Sequence, residues 1–208
     1  MKRNTWITCT RGMVLALALL ALSSGVAAAQ SNQRPGRMNP AQMQQMMSNW
    51  HPAAREAAMF MMNKYGAPAE MTASMAMWNK TGPWKRTVIS AQAVQHNFPG
   101  PHPDVMEQVI DYRVPPAMFS ALAMYDGSVI VERTKGEMSA RCDKEGANFL
   151  ALNLAHEIAM GKRTAGDARR MYAAQVKAMK AGQPAPYTER LLFQPMMGNT
   201  ADPDRPAM

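Results

Sequence analysis

A chain of 208 residues is long enough for one domain with a hydrophobic core and too short to favour two. The formal net charge is +8 at pH 7, but the basic side chains are dispersed, including the pairs Lys85-Arg86 and Lys162-Arg163. Proteins that bind nucleic acid usually carry a continuous basic stripe or a base-reading motif, so the composition argues against a nucleic-acid partner.

The first 29 residues have the pattern of a secretory signal peptide. A basic start at Lys2 and Arg3 is followed by an apolar run over residues 12–22 and by small residues that end at Ala29. The apolar run is too short to cross a bilayer, which takes about 20 residues of helix. We therefore expect cleavage after Ala29 and a soluble protein in the periplasm or outside the cell.

The cysteines predict no lipid anchor and no internal disulfide. Cys9 lies before the apolar run, whereas the lipid-bearing cysteine of bacterial lipoproteins follows such a run. Cys142 is then the single cysteine of the mature chain, so it has no partner within the protein.

Residues 51–194 are predicted to form one globular domain between two loose segments. Residues 30–50 are rich in Met and Gln and poor in branched aliphatic residues, which is typical of a flexible linker. Residues 195–208 contain Pro203 and Pro206 and are predicted to form a disordered tail.

The first half of this domain is predicted to contain a helix and a hairpin. Residues 53–65 are rich in Ala and Met, with Pro52 suited to the first turn and Gly66 to the end of a helix. Residues 71–78 alternate with the two-residue period of a strand, and residues 84–91 return as the partner strand.

Residues 53–91 resemble small exported domains made of a helix and a hairpin. Residues 65–68 after the helix and residues 82–84 in the turn carry the resemblance. Some of those domains act as binding modules in outer-membrane assembly and have a lipid-bearing cysteine, which this chain lacks. The resemblance therefore implies a local fold and assigns no function.

The second half predicts further hairpins and helices. Residues 97–103 hold three prolines and a glycine and are expected to form a loop. The later elements are predicted to be strands at residues 129–131, 137–142 and 187–193, and helices at residues 143–160 and after Thr164. This order predicts an α+β fold, in which three to four helices pack on one side of a small antiparallel sheet built from hairpins.

Methionine is the compositional outlier, with 22 residues in the chain. Thioether sulfur is a soft ligand that selects Cu(I), so Met43, Met46 and Met47 are candidate ligands for copper or silver. Two other interpretations are an oxidant sink, since methionine sulfoxide is reducible, and plain core filler in place of leucine.

The loop of residues 96–104 places two imidazoles and a carboxylate close together in the sequence. His96, His102 and Asp104 are candidate ligands for a divalent metal, and the histidines are candidate acid and base groups. Their spacing matches no established zinc signature. The competing interpretation is a structural loop with surface histidines.

Cys142 lies where a predicted strand leads into the predicted core helix. A thiol at a helix N-terminus beside Arg141 and Lys144 is expected to have a lowered pKa and to act as a nucleophile. His102 or His96 is the candidate base, with Asn148 as a supporting group. The competing interpretation is a small, buried, apolar cysteine.

These observations predict an exported soluble domain that binds an envelope protein or a small ligand without catalysis. Two alternatives remain open: a methionine-rich protein that binds copper or silver, and a cysteine-dependent enzyme centred on Cys142.

Overall fold

The computed structural model describes residues 38–208. Over this range the chain forms a six-stranded antiparallel sheet with five α-helices, which confirms the predicted α+β class with more helices than expected. None of the helices in residues 38–208 is long and apolar enough to cross a membrane. The predicted signal peptide, residues 1–29, lies outside the described residues.

The elements follow one another along the chain with short connections. The helices are α1 (Pro40–Met46), α2 (Pro52–Tyr65), α3 (Phe119–Tyr125), α4 (Glu145–Ala159) and α5 (Ala165–Lys180). The strands are β1 (Glu70–Met71), β2 (Met75–Thr81), β3 (Trp84–His96), β4 (His102–Asp111), β5 (Val129–Glu132) and β6 (Glu137–Cys142). The sheet order is β1-β2-β3-β4-β6-β5, and every neighbouring pair is antiparallel.

One face of the sheet carries the hydrophobic core. Ile89 pairs with Met106 and Met106 pairs with Cys142, so these side chains share a face, because directly opposed residues point the same way. Helix α2 packs Met61 against this face, and α4 packs Leu150 farther along it. The helix-facing side of the sheet therefore holds both the core and Cys142.

The opposite face carries a charged network. Arg86 donates two hydrogen bonds to Glu137, at 2.7 and 2.6 Å, and Lys85 Nζ lies 3.0 Å from the same carboxylate. The Arg86 and Lys85 charges lower the pKa of Glu137 to about 2. The carboxylate is thus ionised and paired although it is buried.

Helix α4 is the central helix, and it is buried because apolar residues lie on most of its sides. Its one buried carboxylate, Glu145, accepts hydrogen bonds from Tyr65 Oη at 2.8 Å and Trp84 Nε1 at 2.7 Å, and pairs with Lys64. Burial alone would raise the pKa of Glu145, but these partners outweigh it and lower the pKa. Gln108 Nε2 lies 3.3 Å from Glu145 Oε1 as a further donor.

Of the segment expected to be a flexible linker, residues 30–50, the structure describes residues 38–50, and these include the helix α1. Asn39 accepts a hydrogen bond from the Gln42 amide while the Gln42 side chain accepts from the Asn39 amide, and Pro40 stands in the first turn of α1. Met43 and Met47 are buried. Local capping and burial of these thioethers therefore order a segment that composition alone predicts to be loose.

The predicted strand at residues 187–193 is not a strand. Asn153 donates to the carbonyls of Tyr187 and Arg190, and its amide oxygen accepts from the Leu192 N–H. The buried Asn153 side chain thus forms hydrogen bonds with backbone groups of residues 187–192. In a β-strand these groups would pair with a neighbouring strand instead.

The predicted disordered tail, residues 195–208, has no helix or strand, yet part of it contacts the domain. The Arg113 guanidinium donates to the carbonyls of Asn199, Thr200 and Ala201. The Asp202 N–H donates to the Thr134 carbonyl at 3.1 Å.

Candidate functional site

The sheet topology brings titratable side chains together at one end. His96 closes β3 and pairs directly with His102, the first residue of β4, with Asp104 two residues further on. Since β4 is antiparallel to β6 and β6 to β5, the start of β4 lies beside the end of β6 and the start of β5. Cys142 and the turn that precedes β5 therefore join the two histidines.

The charged atoms of this cluster lie close to one another. His102 Nε2 lies 3.3 Å from Asp104 Oδ1, and His96 Nδ1 lies 3.6 Å from Asp104 Oδ2. His96 Nε2 lies 3.5 Å from Asp126 Oδ1. One ligand atom from each of His96, His102 and Asp104 can be chosen so that all three lie within 4.8 Å of one another.

Two of these atoms are buried without a hydrogen bond. Among the described residues, neither His96 Nδ1 nor Asp104 Oδ1 has a hydrogen-bond partner. The Asp104 side chain is only 2% exposed. Buried polar atoms in folded proteins are nearly always paired, so an unpaired carboxylate oxygen beside His102 and an unpaired nitrogen of His96 call for an explanation.

Neighbouring groups fix the orientation of these side chains. His102 Nδ1 lies 2.8 Å from the Gly100 carbonyl, which can only accept, so the proton is on Nδ1 and Nε2 faces Asp104 and Cys142. Ser128 Oγ donates to Asp104 Oδ2. His102 Nε2 and Asp104 Oδ1 thereby face each other, 3.3 Å apart.

Phe98 anchors the loop that carries the histidines onto α5. Its ring lies 5.1 Å from the Tyr172 ring, and the Arg169 guanidinium carbon lies 3.7 Å from the Phe98 centroid. Arg169 also donates to the Tyr125 carbonyl at 2.7 Å. The loop between β3 and β4 is thus held by packing and a cation–π contact, which fixes the spacing of His96 and His102.

Charge and burial shift several pKa values at this end of the sheet. The nearby Asp104 carboxylate, followed by Cys142, raises the pKa of His102 to about 11. Burial raises the pKa of the Cys142 thiol, and burial likewise raises that of Asp126. The protein as described therefore holds a protonated His102 beside a neutral Cys142.

The lowered pKa expected for Cys142 is wrong, because burial outweighs the favourable contacts. The Lys144 N–H and His102 both favour the thiolate, whereas the nearby Asp143 charge opposes it. Cys142 Sγ lies 3.4 Å from Asp143 Oδ1. Asn148, the expected supporting group, instead donates to the Met106 carbonyl at 3.1 Å and to Gln108 Oε1 at 3.0 Å.

The three candidate methionine ligands lie in other surroundings. Met47 packs in the core with Trp50 and Ala54, Met43 is buried and Met46 is half-buried. The burial of Met43 and Met47 agrees with the interpretation as core filler, although composition did not predict the helix α1 that positions Met43.

Asp126 and Ser128 belong to the site but were missed from the sequence. Both are buried, and the Asp126 carboxylate accepts from the Ser128 N–H at 2.8 Å in the turn before β5. An Asp-Gly-Ser turn before a strand is a local signal, but nothing in it points to a histidine thirty residues earlier.

The geometry defines a candidate mononuclear metal centre of two imidazoles and one carboxylate, beside a cysteine, at one end of an α+β sheet. Comparison of the chain with protein-family models, curated proteins and solved structures finds no match. The functional argument therefore depends on the site alone.

Proposed function

We propose that this protein binds a divalent transition-metal ion through His96, His102 and Asp104. The observation that carries the proposal is the pair of buried unpaired atoms, Asp104 Oδ1 and His96 Nδ1, at the point where the imidazoles converge. A cation at this point would satisfy both atoms at once.

The separations of the two imidazoles from the two oxygens of Asp104 are compatible with ligands of one metal ion. Zinc binds imidazole nitrogen and carboxylate oxygen at about 2.0–2.2 Å, so adjacent ligands of a tetrahedral ion are about 3.3 Å apart. The His102–Asp104 and His96–Asp104 separations are 3.3 and 3.6 Å. Without a cation, the unpaired buried oxygen of Asp104 costs about 1–3 kcal/mol.

The surrounding groups resemble those that support metal ligands. Histidine ligands usually donate their other ring nitrogen to a carbonyl or a carboxylate. His102 has the Gly100 carbonyl in this position, and His96 has Asp126. Ser128 supports the carboxylate ligand, Asp104.

The donor set indicates which ion to test first. Imidazole suits zinc, copper, iron and nickel, and mixed nitrogen and oxygen ligands are common in zinc sites. Three protein ligands leave a coordination position for a small molecule or for Cys142, which interacts with His102. We propose zinc or a similar borderline ion, held by a protein that the predicted signal peptide directs to the envelope.

Calorimetric titration of the purified protein with Zn²⁺ tests this proposal. We expect one site per chain, and an affinity at least about 100-fold weaker in His96→Ala and Asp104→Asn, because each change removes one of three ligands. The control is His51→Asn, since His51 only caps α2 and asparagine is a good capping residue. An unchanged affinity in Asp104→Asn would contradict the proposal.

The same titration separates this site from the methionine hypothesis. Replacing Met43, Met46 and Met47 together by leucine leaves the proposed Zn²⁺ site intact. Cu(I) affinity that falls in the leucine variant but not in Asp104→Asn would instead support a thioether site in α1.

A cysteine-dependent enzyme is the second candidate, favoured by one contact. Cys142 interacts with His102, and both line a cavity of about 500 Å³. Labelling with iodoacetamide tests this function: a Cys142 that His102 activates would be labelled at least tenfold faster in the unsubstituted protein than in His102→Gln. Equal labelling rates in the two proteins would remove the enzyme hypothesis.

A further inference from the structure

The cavity beside the candidate metal centre has apolar walls. Its volume is about 500 Å³, within the range of small-molecule pockets. Leu150 on α4 and Tyr172, Val176 and Met179 on α5 line it. These side chains are suited to an alkyl chain or an aromatic ring, and none of them provides a formal charge.

Two parts of the cavity lining are polar or charged, unlike these apolar walls. Of the three proposed ligands, His102 lines the cavity, beside Cys142, whereas His96 and Asp104 lie behind it and are not part of the lining; His102 and Cys142 are both largely buried. Lys144 and Lys180 also line it and are exposed, so they lie towards solvent. With Asp143 as the single acidic side chain of the lining, the two lysines give the entrance a net positive charge that favours an anion.

We propose that the cavity binds an organic monocarboxylate with an apolar body. The apolar body lies between α4 and α5, and the carboxylate occupies the coordination position that His96, His102 and Asp104 leave open on the metal. The lysines at the entrance favour the approach of the anion. This inference rests on the proposed metal site for the placement of the carboxylate.

Linear fatty acids are the direct probe of this proposal. We expect Zn²⁺-loaded protein to bind decanoate in calorimetry, with an affinity that rises about fourfold for each methylene added between hexanoate and decanoate, because each buried methylene contributes a constant transfer free energy. We expect binding to the metal-free protein to be at least tenfold weaker. Equal decanoate binding with and without Zn²⁺ would overturn the placement of the carboxylate on the metal.

A substitution in the wall tests the location. Val176 is a half-buried residue of α5 that lines the cavity, and Val176→Trp places a large side chain there. We expect decanoate affinity to fall at least tenfold and Zn²⁺ affinity to stay unchanged. The matched control is Ala174→Trp, which places the same side chain at an exposed position of the same helix. Decanoate binding that is equal in the two variants would overturn the assignment of this cavity.

A second wall variant covers the case in which Val176→Trp does not fold. Met179→Asp places a negative charge on an exposed lining residue, and we expect it to weaken decanoate binding at least fivefold. Zn²⁺ binding without any decanoate binding overturns this inference and leaves the proposed function standing. If the unsubstituted protein does not bind Zn²⁺, both the proposed function and this inference are overturned.

Discussion

Two buried carboxylates of this protein have opposite surroundings. The side chains of Glu145 and Asp104 are 4% and 2% exposed. Glu145 is surrounded by donors from Lys64, Tyr65 and Trp84, whereas Asp104 has the Ser128 hydroxyl on one oxygen and no hydrogen bond on the other. Glu145 thus has a full set of hydrogen-bond donors, as expected of a structural carboxylate. Asp104 keeps one oxygen without a donor, at the place where we propose a metal ion.

The largest effect is expected from removing the satisfied carboxylate. Glu145→Ala leaves the buried Trp84 Nε1–H without an acceptor, removes one of the two acceptors of Gln108 Nε2 and also removes the partner of Lys64. We expect the free energy of unfolding to fall by about 3–5 kcal/mol, measured by urea denaturation. Asp104→Asn in metal-free protein is the comparison, and we expect a change within about 1 kcal/mol. Equal losses in the two variants would remove the distinction between the sites.

A third buried carboxylate, Glu137, extends the comparison to pH. Its folded-state pKa is about 2, below the ordinary value of 4.5, so its contribution to stability is fully present above about pH 4.5 and is lost as the pH falls towards 2. The shift corresponds to about 3 kcal/mol. Urea denaturation of Arg86→Met between pH 2 and 6 should show a shallower dependence on pH than the unsubstituted protein does.

Metal binding should stabilise the protein through Asp104. At free Zn²⁺ about 100-fold above the dissociation constant, we expect about 2.7 kcal/mol of added stability, because the ion binds only the folded state. Thermal unfolding with and without Zn²⁺ measures this effect. The melting temperature should rise in His51→Asn as in the unsubstituted protein, and it should not rise in Asp104→Asn.

The smallest effect is expected from loosening the loop that carries the histidines. Phe98→Ala removes the contacts with Tyr172 and Arg169 while leaving all three metal ligands in place. We expect Zn²⁺ affinity to fall about tenfold, as for other groups that orient ligands from outside the coordination shell. Phe98→Tyr keeps the ring and serves as the control. If Phe98→Ala bound Zn²⁺ with unchanged affinity, the ligands would not depend on α5 for their positions.

Local patterns predicted most of the regular structure. The apolar circumference of residues 143–160 corresponds to α4, because its period is a property of the helix itself. The strand predicted over residues 71–78 matches the structure only in part, since Met71 ends β1, residues 72–74 are in no strand and β2 runs from Met75 to Thr81. The prolines near His102 correctly predicted a turn, although the loop is shorter than expected because β3 extends to His96 and β4 starts at His102. Residues 187–193 failed as a strand, because Asn153 on α4 bonds their backbone.

The candidate site was predictable in its ligands and not in its surroundings. His96, His102 and Asp104 are adjacent enough in sequence for their meeting to be expected, since one hairpin carries all three. Asp126 and Ser128 lie at the site because the strands are ordered β4-β6-β5 in the sheet, and no local sequence pattern predicts this order.

By itself, the sequence determined α2, α4 and α5, the first hairpin and the concentration of metal-ligating side chains around one proline-rich turn, because these depend on near neighbours in the chain. Only the tertiary structure decided that Cys142 is buried, that its pKa is raised, and that an oxygen of Asp104 is left unpaired beside His102. Burial and hydrogen-bond satisfaction are properties of the packed molecule, since they depend on which distant segments arrive to supply or withhold partners.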